Sequence, residues 1–67
     1  MRIRLNGKEE AVSDGLNILL LLQELKLESS RVAAEVNLRV LKKDEYSRVF
    51  LKDGDTVEIV TLMGGGL

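Results

Sequence analysis

The sequence predicts an α+β domain, one sheet with a single helix packed across one of its faces. Three observations carry this. The first residues alternate apolar and polar side chains up to an Asn-Gly pair. One stretch alone, starting at Ile18, spaces its leucines as a helix does. From Arg31 onward the chain breaks into short β-branched runs separated by turn residues. A hairpin, then a helix, then further strands is an α+β pattern.

Ile3 and Leu5 alternate with Arg2, Arg4 and Asn6, which gives a first strand with one buried face. Asn6-Gly7 is the strongest short hairpin signal, because a type I′ turn requires positive φ at both central residues. The returning strand is expected over Lys8 to Ser13, with Ala11 or Val12 facing inward. Ser13-Asp14-Gly15 then breaks it.

Asn17 reads as a helix N-cap, with its side chain accepting from the first-turn N–H groups. Leu16 before the cap and Leu21 four residues after it have the spacing of a hydrophobic staple. Ile18, Leu21, Leu22 and Leu25 share one helical face, so a helix is expected from Ile18 to Leu25 or Lys26. Leu19 and Leu20 fall outside that face. They are expected to be partly exposed, either as extra core at the sheet edge or as an apolar contact patch.

Val32 and Val36 bracket Ala33 and Ala34 in "RVAAEVN", which predicts a central strand over Arg31 to Val36. Asn37 turns the chain into a short strand at Val40-Leu41. "KKDEYSR" is polar enough for one helical turn or a loop, and Val49 to Leu51 form another extended piece. Asp53-Gly54 centres a turn. In the last strand Val57, Ile59 and Thr61 alternate with Glu58, Val60 and Leu62. If this strand pairs with the first, the sheet closes around a central pair. The result is then a β-grasp, or ubiquitin-like, domain with a mixed sheet of four to five strands. The pattern alone leaves that one of several arrangements.

Composition excludes whole classes of function. The chain has 67 residues, room for one domain, and 45% of them are hydrophobic. It has neither cysteine nor histidine, which closes the disulfide route and removes the ligands of the usual zinc and haem sites. No cofactor is expected. The same absence rules out Ser-His-Asp and Cys-His catalysis. The 11 Asp and Glu residues offer paired carboxylates, but so short a chain hardly encloses a substrate pocket, so an enzyme acting alone is not expected. A net charge of −1 and a single Phe and Tyr leave no basic face or stacking platform for nucleic acid. The longest apolar run, Ile18 to Leu22, is too short to span a membrane. The opening "MRIRLNG" lacks the form of a signal peptide, and a cytoplasmic protein is expected.

The chain closes in "TLMGGGL". Glycine loses more backbone entropy on ordering than any other residue, so a fold gains nothing from three at its end. The expected division is a folded domain over residues 1–62 and a flexible glycine-rich tail over residues 63–67. A phosphate-cradling loop is excluded, because no helix follows these glycines.

Several stretches together resemble a known family. They are "LNGK" (Leu5 to Lys8), "LNILLLLQEL" (Leu16 to Leu25), "EVNLRVLKKDEY" (Glu35 to Tyr46) and "LKDGDTVEIVTLMGGG" (Leu51 to Gly66). The conjunction resembles the ThiS-type sulfur carriers of thiamine biosynthesis and, more distantly, the MoaD-like small subunit of molybdopterin synthase. The resemblance implies that the Gly66 carboxylate is the working group. A ThiF-like adenylyltransferase would use ATP to convert it to an acyl-adenylate. A sulfur donor, such as one fed by a cysteine desulfurase, would displace AMP and leave a thiocarboxylate. A ThiG-like thiazole synthase would receive the sulfur. Leu62, Met63, Gly64 and Gly65 would be the partner-binding residues.

The physical chemistry of the tail agrees. A carboxylate resists attack until it carries a leaving group, and the end must reach a site inside another protein. Four extended residues reach about 13–14 Å, and glycine has no side chain to obstruct a narrow channel. Leu67 departs from the family pattern. It is read either as the first residue of a purification tag or as a natural residue that a peptidase removes, and both leave Gly66 as the working end. The alternatives to a thiamine carrier are a molybdopterin-synthase partner, a ubiquitin-like modifier of lysines and an interaction domain.

Overall fold

Asn6 and Gly7 reverse the chain with φ of 51° and 85°, as a type I′ turn requires. They join β1 (Arg2–Leu5) to β2 (Lys8–Ala11). The computed structural model describes residues 1–62. The remaining elements are α1 (Ile18–Glu24), β3 (Val32–Val36), β4 (Arg39–Val40) and β5 (Thr56–Thr61), with 3-10 turns at Ser29–Arg31 and Lys43–Glu45. The five strands form one sheet in the order β2-β1-β5-β3-β4. β1 and β5 are parallel, and the other neighbours are antiparallel.

β2 is shorter than the sequence suggests. It ends at Ala11, which is exposed like the rest of this edge strand. Of the two inward candidates, Val12, just past the strand, is the one that packs on the core.

α1 starts where the cap predicts. The Asn17 Oδ1 accepts from the Leu20 N–H at 2.7 Å, and its Nδ2 donates to the Ser47 carbonyl at 3.1 Å. Leu16, Ile18, Leu21 and Leu22 enter one buried cluster. Leu25 does not, and this corrects the expected helical face. Lys26 takes a left-handed φ of 60°, so Leu25 becomes the C-cap and swings out to 38% exposure. The Lys26 N–H then donates to the Gln23 carbonyl and the Leu27 N–H to the Leu22 carbonyl, which closes the helix. Leu27 packs on the core instead.

β3 alternates with Val32, Ala34 and Val36 buried. It starts one residue later than expected, because Arg31 closes a 3-10 turn. Asn37 and Leu38, with φ of 51° and 70°, return the chain into β4. Leu41 lies past that strand, buried, with its N–H on the Ala34 carbonyl. Val49 to Leu51 pair with the entrance to α1 rather than with the sheet. Phe50 bridges Asn17, the Ile18 N–H reaches the Val49 carbonyl, and the Leu51 N–H reaches the Leu16 carbonyl. Tyr46 is buried with its hydroxyl 3.4 Å from the Val32 carbonyl, and burial pushes the phenol above its ordinary pKa.

β5 lies in the middle, and side chains clamp it from both sides. The Asn6 Oδ1 accepts from the Ile59 N–H at 2.8 Å. The Asn37 Oδ1 accepts from the Thr56 N–H at 3.0 Å, and its Nδ2 donates to the Asp55 Oδ1 at 3.0 Å. The Asp55 Oδ2 accepts from the Lys52 N–H at 2.7 Å. Asp55 is a buried carboxylate satisfied by two neutral donors.

Asp55→Ala therefore removes the acceptor of two donors at once. It should lower the unfolding free energy by about 2 kcal/mol, read by urea denaturation. An unchanged midpoint would show that water replaces the carboxylate without loss. A second effect depends on pH. The Lys42 N–H and then the Arg39 guanidinium hold the Glu45 carboxyl below the usual carboxylate range. A depressed folded pKa stabilises at neutral pH, and that contribution is lost as pH falls through the folded pKa. Thermal melts between about pH 5 and pH 2 should be slightly less pH-dependent in Glu45→Gln. Parallel melting curves for the two proteins would contradict this.

Candidate functional site at the end of the central strand

β5 alternates as its sequence predicts, with Val57 and Ile59 buried and Glu58, Val60 and Leu62 exposed on the other side. Thr61 is exposed as well, although Val32 across from it is buried. Leu62 follows the strand with its N–H on the Arg31 carbonyl at 2.7 Å. Of the residues predicted to form the site, Leu62 is thus the one that the structure places. Met63, Gly64, Gly65, Gly66 and Leu67 lie outside the described residues, and so does the predicted tail.

The approach to that end is asymmetric. β3 accompanies β5 as far as Thr61, opposite Val32. β1 pairs with it only at Thr56 and Val57, and the Asn6 side chain then takes the Ile59 N–H. Beyond Ile59, among the described residues, no strand covers that edge of β5. The last stretch is held on one side and open on the other.

The sheet face away from α1 carries a shallow open groove of about 60 Å³, lined by Ala33, Ala34, Glu35, Val40, Glu58 and Val60. It is smaller than a typical ligand pocket. Among the described residues no group of three Asp and Glu is placed to hold a metal ion, and no helix is long and apolar enough to cross a membrane. The described residues thus offer a surface and a strand end rather than a catalytic cavity. The sequence did not single out this groove. Its signal was the exposed parity of Val40 and Val60, visible only once the strands are ordered.

On the helix side Leu19 is half-buried against the core, and Leu20 is exposed. Phe50 is exposed beside Asn17.

A mixed five-strand sheet with its last strand in the middle, parallel to the first, and one helix across it defines a β-grasp domain. The profile of the ThiS family matches residues 2–66. The chain is 38% identical to the sulfur carrier protein ThiS of Bacillus subtilis over 65 residues, 96% of this chain and 98% of that one. The chain belongs to the ThiS family. A crystal structure of the thiamine biosynthesis protein ThiS from Geobacter metallireducens superposes with a TM-score of 0.84 at 38% identity, covering 98% of this chain and 100% of that one. The chain is also 41% identical over 66 residues to a thiazole synthase of Paramagnetospirillum magneticum. That match takes in 98% of this chain, which spans 20% of the synthase's length.

The contrast between neighbouring leucines is directly testable. Leu20→Glu should change stability by less than about 1 kcal/mol, whereas Leu22→Ala should cost about 2–5 kcal/mol through the cavity it leaves. Unfolding by Leu20→Glu would place Leu20 in the core.

Proposed function

We propose that the protein is a sulfur carrier of thiamine biosynthesis, a protein cosubstrate rather than an enzyme, that works through the carboxylate of Gly66 after loss of Leu67. The observation that carries this reading is the extent of the family match, which runs from residue 2 to Gly66 and stops before Leu67.

The chemistry follows from the carboxylate's poor reactivity. A ThiF-like adenylyltransferase joins one carboxylate oxygen to the α-phosphate of ATP and releases pyrophosphate. The acyl carbon then carries AMP as a leaving group. The outer sulfur of a persulfide on a cysteine-desulfurase-fed donor displaces AMP to give an acyl disulfide. A second thiol then reduces the S–S bond, which leaves a disulfide on the donor side and frees the thiocarboxylate. A ThiG-like thiazole synthase takes the sulfur from it. The match to one-fifth of a thiazole synthase supports that last partner. Leu62, Met63, Gly64 and Gly65 form the thin segment that enters these enzymes.

Intact mass after incubation with ATP, the adenylating enzyme of the same organism and a sulfur source tests this. The chain ending at Gly66 should gain the mass difference between sulfur and oxygen, and should support ATP–pyrophosphate exchange. The chain ending at Leu67 should do neither without a peptidase. Equal exchange by both forms would refute the requirement for a terminal glycine. Larger covalent adducts would instead favour a modifier. Removing residues 65–67 should abolish exchange and leave the melting temperature within a few degrees, since glycines bury almost no side-chain area. A large drop would make the tail structural.

A further inference from the structure

The chain holds three asparagines, Asn6, Asn17 and Asn37, and each lends its side-chain oxygen to a backbone N–H. Two of them are held at both ends of the amide. Asn17 also donates to the Ser47 carbonyl, and Asn37 to the Asp55 carboxylate. Both precede a large side chain, Ile18 and Leu38. Asn6 differs on each count. Among the described residues only the oxygen of its amide is bonded, and the next residue is Gly7.

Glycine after asparagine leaves the following nitrogen unhindered, and the pair can lose ammonia. The Gly7 nitrogen gives up its proton and attacks Cγ of Asn6. The Cγ–Nδ2 bond breaks, ammonia leaves, and a five-membered succinimide remains. Water then opens the ring. Addition at Cγ gives aspartate. Addition at the main-chain carbonyl carbon gives isoaspartate, whose backbone runs through Cβ and Cγ. The surroundings favour the first step. Asn6 and Gly7 are exposed, and no heavy atom lies within 4 Å of where a Cβ on Gly7 would sit. The Arg4 Nη1 donates to the Gly7 carbonyl at 2.9 Å, which puts positive charge near the nitrogen that must lose its proton.

The turn itself opposes it. A type I′ turn sets ψ at about +30° at its first central residue, which turns the next nitrogen away from Cβ. The Asn6 Oδ1 is also pinned 2.8 Å from the Ile59 nitrogen. The ring therefore closes only when the turn opens and lets go of β5.

We propose that Asn6 is a deamidation site gated by the β1–β2 turn, and that its isoaspartyl product loosens β5. The two products differ in effect. Aspartate keeps a side-chain oxygen to accept from the Ile59 N–H. Isoaspartate lengthens the main chain by one carbon and draws that oxygen into it, so the clamp is lost. Ile59 is where β1 has stopped accompanying β5, and the loss falls on the stretch that leads to Leu62. This inference does not depend on the sulfur-carrier reading.

The test incubates the full chain at mildly alkaline pH, folded and in urea, and follows intact mass, which rises as NH2 is replaced by OH. Fragmentation locates the change, and an isoaspartate-specific methyltransferase labels the isomer. Asp14-Gly15 and Asp53-Gly54 can form the same ring, but they lose water and return to their original mass. Conversion should fall on Asn6 and run at least about tenfold slower in the folded chain, because it waits for a local opening. Asn6→Asp should melt within a few degrees of the unsubstituted chain. The separated isoaspartyl form should melt lower and exchange its Ile59 amide at least about tenfold faster. Equal rates with and without urea would overturn the gate. Conversion at Asn17 or Asn37 first, or none in urea, would overturn the site. An isoaspartyl form that melts and exchanges like Asn6→Asp would overturn the effect on β5.

Discussion

The fold depends on where its last strand goes. β1–β2 and β3–β4 are each two-stranded hairpins, and such units are marginal alone in water. β5 enters between them, parallel to one and antiparallel to the other, and makes them a single sheet. Its partner on one side is fifty or so residues earlier in the chain, so the ladder forms only after a long loop closes. The side chains of Asn37 and Asp55 sit at the strand's start and that of Asn6 holds its middle, which secures that closure. α1 then covers a sheet that already exists.

Local chemistry was largely legible in the sequence. Asn6-Gly7 and Asn17 act through their own backbone neighbourhoods, and both do what their residue types imply. Failures came where two local rules competed or where a long-range partner decided. Leu25 fits the helical stripe, but a left-handed lysine ended the helix one residue too early for it. No glycine marked that stop. Ala11 could not be told from Val12 without knowing that β2 is an edge. The extended piece around Phe50 was recognisable, but its partner beside the helix entrance was not.

The candidate site was legible in a different way. Alternation along β5 assigned Leu62 to the outer parity correctly. The role proposed for Gly66 came from resemblance, because three glycines have no periodicity to interpret. The groove escaped because it depends on strand order.

The placement of β5 also has a mechanical meaning. A partner that draws on the end of this chain pulls along the axis of a strand flanked on both sides. The ladder bonds to β1 and β3 lie across that axis, so the load falls on them together as shear instead of peeling them one at a time. A pull on either edge strand, β2 or β4, would meet neighbours on one side alone. The domain is thus anchored most firmly along the axis of β5. The open edge past Ile59 ends the doubly held part, so a tug would first work on Val60 to Leu62 before reaching the clamped core.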